Sequence, residues 1–164
     1  WLALGTAFVL AADRVLPQLG QRRRGIDGEV AVADALTVLE AHGWFALHDV
    51  DTGRGNIDHV VVGPGGVFTI ETKSHAGRRK VDQIDPAWLA QAYAQAKVLE
   101  RVAGTKAQPL LVFSRAYLDR PVSRHKGVVV LPARMLAGHL RRRRAVLEAP
   151  AALAVHDRLA RSLG

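Results

Sequence analysis

The stretch IDHVVVGPGGVFTIETKS, residues 57–74, decides how this chain folds. Two apolar, β-branched runs flank Pro64-Gly65-Gly66, so the segment reads as two strands joined by a tight turn. Each run also carries charge: Asp58 in the first, Glu71 and Lys73 in the second. Charged side chains are seldom buried unless they are paired or functional. Strand residues two apart share a face, which places Glu71 and Lys73 together with Thr72 opposite. If the two strands pair, Asp58 can lie near the Glu71 end of the hairpin, in a register that the sequence alone does not fix.

Working outward, IDGEVAVADALTVLEAHG (26–43) has helical spacing and ends on Gly43 as a C-terminal cap. WFALHDV (44–50) reads as a strand and DTGRGN (51–56) as a loop. Asp85-Pro86 marks the start of a second helix, with Asp85 as cap, that runs to about Val102 and closes at Gly104. PLLVFS (109–114) and GVVVLP (127–132) are apolar without alternation, as in strands covered on both faces. ARMLAGHLRRRR (133–144) and APAALAVHDRLARSL (149–163) read as closing helices. The order α-β-β-β-α-β-β-α-α predicts an α/β domain, a mixed sheet flanked by helices with extra helices at its C-terminal end.

The charged residues have company. In the first helix Val32, Leu36 and Leu39 form a stripe, and one step back along it is Glu29, which places that carboxylate on the core-facing side. Gly28 beside it leaves room for close backbone approach. In the second helix Gln91 and Gln95 are the polar members of the stripe Trp88, Gln91, Gln95, Val98, Val102. Converging carboxylates repel and hold their protons unless a cation joins them. A hard divalent ion, Mg²⁺ or Mn²⁺, would take oxygens from Asp58, Glu71 and the Thr72 carbonyl. Lys73 beside it would stabilise charge on a phosphate, or orient or deprotonate a water. The plainer alternative is a local salt bridge of Lys73 with Glu71 or Asp58 at a sheet edge.

Composition narrows the chemistry. The chain has 164 residues and no cysteine, which excludes disulfides, zinc–cysteine sites and thiol catalysis. The seven histidines include no HxH or HExxH spacing, so no zinc site is expected. His59 is expected to face away from Asp58, and His75 to return to its side only through loop geometry. TGRGN and GPGG are turns rather than phosphate loops, and Ser74 and Ser123 lack a nucleophile elbow. Trp44, Phe45 and Trp88 read as core, since 5% aromatics supply a poor stacking platform.

The formal charge of +8 is partly clustered, in Arg22–Arg24, Arg78-Arg79-Lys80 and Arg141–Arg144. Such a surface suits a polyanion, nucleic acid or anionic lipid. Arg54, Arg78, Arg79, Lys80, Arg141 and Arg142 are the candidate phosphate contacts, with Arg141–Arg144 wrapping around a helix. The chain starts without Met, and Trp1–Ala12 is almost wholly apolar but shorter than the ~20 residues of a membrane span. We read it as the inner end of a membrane-anchoring helix, with an ordinary packing helix as the alternative. The arginines that follow would place the domain on the cytoplasmic face. The expected divisions are 1–24 (apolar segment and basic linker), 25–132 (main domain) and 133–164 (helices packing on it).

GIDGEVAVADAL, NIDHVVVGPGGVFTIETKSHAG and DPAWLAQAYAQAKVLE together resemble the NERD (nuclease-related) domain family, across roughly Arg24 to Leu131. By similarity that family belongs to the PD-(D/E)xK nuclease-like superfamily. The resemblance implies a restriction-endonuclease-like αβββαβ core, the same order as read above. It implies Asp58 and Glu71 as metal ligands, Lys73 as catalytic lysine, and Glu29 as the first-helix glutamate that can join the metal. It implies Gln91, or else Gln95, as the helix glutamine of the site. The implied activity is Mg²⁺- or Mn²⁺-dependent hydrolysis of phosphodiester bonds, most simply in DNA, with RNA left open. The rival expectation is a non-catalytic module that binds nucleic acid or a partner, tethered to a membrane or not.

Overall fold

The structure, a computed structural model, describes residues 27–163 apart from Arg54. The apolar start and the basic linker therefore lie outside the described residues, as does Arg54. Among the described residues no helix is long and apolar enough to cross a membrane.

A helix over residues 27–37, α1, opens the description. It tightens into a 3₁₀ turn, Glu40–His42, that Gly43 closes in the left-handed conformation at φ 75°. Strands β1 (Phe45–Asp51), β2 (Asn56–Gly63) and β3 (Gly66–Arg79) follow. Helix α2 (Pro86–Ala103) leads to β4 (Ala107–Leu118), β5 (Ser123–His125) and β6 (Val128–Pro132). Helices α3 (Leu136–Arg141) and α4 (Ala149–Leu163) complete the fold. The six strands form one sheet in the order β1-β2-β3-β4-β6-β5. β1–β2, β2–β3 and β5–β6 are antiparallel, while β3–β4 and β4–β6 are parallel. This is the expected nuclease-like α/β arrangement: a mixed sheet between helices, with helices added at the end.

The apolar pattern explains the layers. Val32, Leu36 and Leu39, with Leu136 and Leu140 of α3, cover one face through Val61, Phe68, Ile70, Leu110, Val112 and Leu131. On the other face α2 and α4 bring Ala96, Leu99, Ala152 and Leu159 against Ile57, Val60, Val62 and Val67. Fully burying a Val, Leu, Ile or Phe side chain stabilises by about 1.5–3 kcal/mol. α2 starts where the sequence indicates: Asp85 Oδ1 accepts from the Ala87 N–H at 2.8 Å, and Pro86 occupies the first turn. Gly104 ends it in the left-handed conformation, its N–H donating to the Glu100 carbonyl.

Three differences from the sequence reading matter for the site. β3 continues past Ser74 to Arg79, pairing Ala76–Arg79 with Arg115–Leu118 after a register shift between Lys73 and Ala76. The polar residues there carry no strand signal of their own, so the partner strand supplies the order. β5 is a three-residue edge strand, too short and polar to register as a pattern. The arginine run is helical only to Arg141; Arg142–Arg144 leave the helix. An expected Arg141–Arg144 helical face is thereby corrected.

Gly63 closes the β2–β3 hairpin opposite Gly66 and lies flat against the Trp44 indole, which an added Cβ would overlap. Trp44 is itself buried against Phe68, with ring centroids 5.8 Å apart, so it has no free direction to move. Gly63→Ala should therefore destabilise the chain by about 1–3 kcal/mol, read as a lower urea midpoint with an unchanged slope.

Candidate active site

The β2–β3 ladder runs from Gly63↔Gly66 back to His59↔Ile70 and then stops. The next residues on the two strands are Asp58 and Glu71. There the Asp58 side chain takes over from the backbone: its Oδ2 accepts from the Thr72 N–H at 2.6 Å. Glu71 is 4% exposed and is held on both oxygens. Lys73 Nζ donates to Oε1 at 2.6 Å, and Gln95 Nε2 donates to Oε2 at 2.7 Å.

Helix α2 supplies the second wall. Gln91 and Gln95, one turn apart, both reach the strands. Gln91 Oε1 accepts from Lys73 Nζ at 3.4 Å, a long bond that marks loose contact. Gln95 Nε2 also reaches the Asn56 carbonyl at 3.1 Å, so it ties the start of β2 to Glu71. One turn earlier, Trp88 lies under Lys73, with Nζ 5.5 Å from the ring centroid, a cation–π distance. The shift in β3 brings His75 onto the same ring at 4.7 Å. Trp88 thus borders the site, while Trp44 is core.

Glu29 is corrected in its setting. It is exposed, and the buried stripe of α1 is Gly28, Val32, Leu36. Stepping back four residues from Val32, not three, gives the stripe. Gly28 does permit close approach, because a Cβ there would come within 2.8 Å of Ser114 Oγ and 3.0 Å of Ser74 Cβ. That approach keeps Glu29 within electrostatic reach: its carboxyl is pushed up by partial burial, then by the charges of Asp49 and Glu71.

Asp49 is the acidic neighbour that the sequence reading missed. β1 and β2 pair as His48↔His59 and Val50↔Ile57, which puts Asp49 across from Asp58. It adopts φ 50°, unusual for a residue with a side chain, and accepts from Asn56 Nδ2 at 2.7 Å. A lone Asp in a strand pattern gives no warning of that kink. His59, as expected, is engaged elsewhere: it is buried, 2.7 Å from His48 Nδ1, and burial with the His48 charge lowers it to about 4.

The electrostatics are those of crowded acids. Burial, then the Glu71 charge, raises Asp58 to about 7, with Glu29 adding to it and the Thr72 N–H and Lys73 opposing. One ammonium does not neutralise the cluster. The donors are all oxygens, which fits a hard divalent cation. Among the described residues no three His, Asp or Glu side chains gather closely enough to enclose a metal by themselves. A cation would thus rest on Asp58 and Glu71, with carbonyl, water or substrate oxygens completing its shell, as is usual for Mg²⁺.

The basic clusters part company. Arg78, Arg79 and Lys80 line a cavity of about 720 Å³ with Gln83, Tyr117, Leu118 and Asp119, at the C-terminal end of β3 beyond Lys73. Arg142–Arg144 line another at the start of β3, and Arg141 ends the helix before them.

The two glutamines can be separated by experiment. Gln95→Leu removes a partner of a buried carboxylate and should cost about 1–3 kcal/mol, whereas Gln91→Leu should leave thermal stability nearly unchanged. A thermal melt of each variant checks this.

The model of the nuclease-related domain family, NERD, matches residues 24–131. No significant match arises among the curated proteins or among the solved structures. The match spans well over half the chain and contains the Asp58–Glu71–Lys73 hairpin and both α2 glutamines, so this chain belongs to the nuclease-related domain family.

Proposed function

We propose that this chain is a divalent-metal-dependent nuclease that hydrolyses phosphodiester bonds in DNA. The observation that carries the reading is the convergence of Asp58, Glu71, Lys73 and an α2 glutamine on one point of the sheet. Asp58, Glu71 and the Thr72 carbonyl would hold Mg²⁺ or Mn²⁺, with Glu29 supporting from the rim. Such a cation, when bound, polarises a phosphoryl oxygen and makes water a better nucleophile at neutral pH.

The side chains do the rest. Gln95 fixes the Glu71 carboxylate against α2, so its charge stays aimed at the cleft. Lys73, seated between Glu71 and the Trp88 ring, orients the attacking water and donates to the phosphoryl oxygen that gains charge. Gln91, loosely held now, keeps the ammonium on that line. Arg78, Arg79 and Lys80 continue the positive surface along the phosphate backbone without reading bases.

The test is relaxation of supercoiled plasmid by the wild-type chain. Nicking should require Mg²⁺ or Mn²⁺ and stop on adding a chelator. Nicking that survives the chelator contradicts the reading.

A second reading has its own observation. Both oxygens of Glu71 are occupied, by Lys73 and Gln95. A site frozen in that state would bind nucleic acid and cut nothing. Salt-sensitive, metal-independent DNA binding without products would favour it. Tethering at the inner face of a membrane rests on the Trp1–Ala12 sequence and is proposed on that ground only.

A further inference from the structure

The loop that follows Arg141 is built, not merely solvated. The N–H groups of Val146 and Leu147 both donate to the Pro64 carbonyl, at 2.7 and 3.1 Å. Arg143 packs so closely on Gly65 that a Cβ there would lie 2.6 Å from Arg143 Cβ. Its Nη2 donates to Gln108 Oε1 at 3.2 Å, which fixes the guanidinium. The β2–β3 turn thus anchors an arginine-rich segment against the sheet.

The anchored segment encloses a cavity of about 420 Å³, with Lys106, Arg142, Arg143 and Arg144 among its lining residues and Val67 and Leu147 adding apolar wall. None of the four cations has a carboxylate partner within ion-pair distance among the described residues. The acid whose ionisation Lys106 favours, Glu100, is already bridged by Lys97 at 2.7 Å. Four like charges around one recess repel, and the recess concentrates their field. An anion removes that cost. Guanidinium groups match phosphoryl oxygens in shape as well as charge. The recess is also of the size that holds small ligands, roughly 300–1,000 Å³.

Its place separates it from the proposed catalytic cleft. The recess lies at Gly66 and Val67, where β3 begins, and Glu71 is five residues on, roughly 17 Å along the strand. A phosphate held by Arg142–Arg144 is therefore not the one beside Lys73.

We propose that loop residues 142–147 and Lys106 form a second site, at the start of β3 and apart from the Asp58–Glu71–Lys73 cleft at mid-strand, that binds phosphoryl groups. The group belongs to a free di- or triphosphate or to a nucleic-acid backbone. The proposal does not rest on the metal reading, because the test runs in metal-free buffer. The chain is titrated with pyrophosphate and, separately, with a short DNA duplex, while the backbone amide signals of Gly65, Gly66, Val67 and Lys106 are followed by NMR. The same titrations are run on the double variant Arg142→Gln/Arg144→Gln, whose altered side chains are exposed.

Pyrophosphate should shift those amides saturably, and the double variant should bind at least about tenfold more weakly at an unchanged melting temperature. Shifts of the same amides by duplex and not by pyrophosphate, again weakened in the variant, also support the site and name the backbone as its source. No shift with either probe, or shifts that the variant leaves intact, overturns it.

Discussion

Lys73→Met should reduce plasmid nicking by at least about a hundredfold while leaving duplex affinity nearly unchanged. The first half follows from position. Lys73 Nζ is 2.6 Å from Glu71 Oε1, inside the cleft, where it lies over the Trp88 ring and meets two acceptors. Removing a group aimed at charge that develops in a transition state typically costs two to three orders of magnitude in rate, about 10²–10³. The second half follows because duplex affinity rests on many phosphate contacts, to which one shielded lysine adds little. Stability will respond too. Glu71 is 4% exposed and would keep Gln95 as its only side-chain donor. Leaving a buried acid short of its cation should cost a few kcal/mol, of order 3, reduced if the acid takes up a proton. Rates should therefore be measured well below the variant's melting temperature, beside Lys73→Arg, which keeps the charge and loses the geometry. Nicking by Lys73→Met at the wild-type rate would remove Lys73 from the mechanism.

Asp58→Asn should stabilise the metal-free chain at neutral pH and above while abolishing cleavage. In the folded chain Asp58 is raised from 3.8 to about 7, by burial first and the Glu71 charge second. A raised carboxyl reverses the usual acid behaviour. Between those two values the folded chain keeps a proton that the unfolded chain has released. This group's contribution is therefore most favourable at low pH, declines as pH rises toward 7, and levels off above it. Asparagine retains an oxygen for the Thr72 N–H and carries no charge, so it removes the decline. We expect a gain of about 1–2 kcal/mol at pH 8 after allowing for partial solvent exposure, and none near pH 4. Urea denaturation of both proteins across that range checks the slope as well as the gain. A variant less stable than the wild type at pH 8 would mean that the acids are not in conflict. A site that costs stability when empty and gains from a cation is the pattern expected of a functional centre.

The hairpin was legible because strand parity is a strong constraint. Once Pro64-Gly65-Gly66 marks the turn, the shared face of Glu71 and Lys73 follows from a period of two, whereas the register that sets Asp58 beside Glu71 is fixed by the pairing of the two strands. The α2 glutamines were legible as a pair but not as individuals, since residues four apart share one helix face. Glu29 was misplaced for a related reason. A stripe can be extended by three or by four residues, and glycine at position 28 gives no apolar signal to choose between them. Asp49 could not be found by pattern, because its placement depends on a left-handed backbone at a residue that carries a side chain. Nothing local ends the helix before the arginine run, since arginine is a good helix former. The competing force is tertiary: the Pro64 carbonyl captures two N–H groups just beyond, and Arg143 is held by Gln108.

The measurement that bears most directly on the central claim is a calorimetric titration of Mn²⁺ into the wild-type chain and into Asp58→Asn at pH 8, followed by plasmid nicking with the same samples. We expect saturable binding and nicking in the wild type, with both lost in the variant. Absence of Mn²⁺ binding in a wild-type chain that is folded and still binds duplex would contradict the account and leave the fold as a binding module.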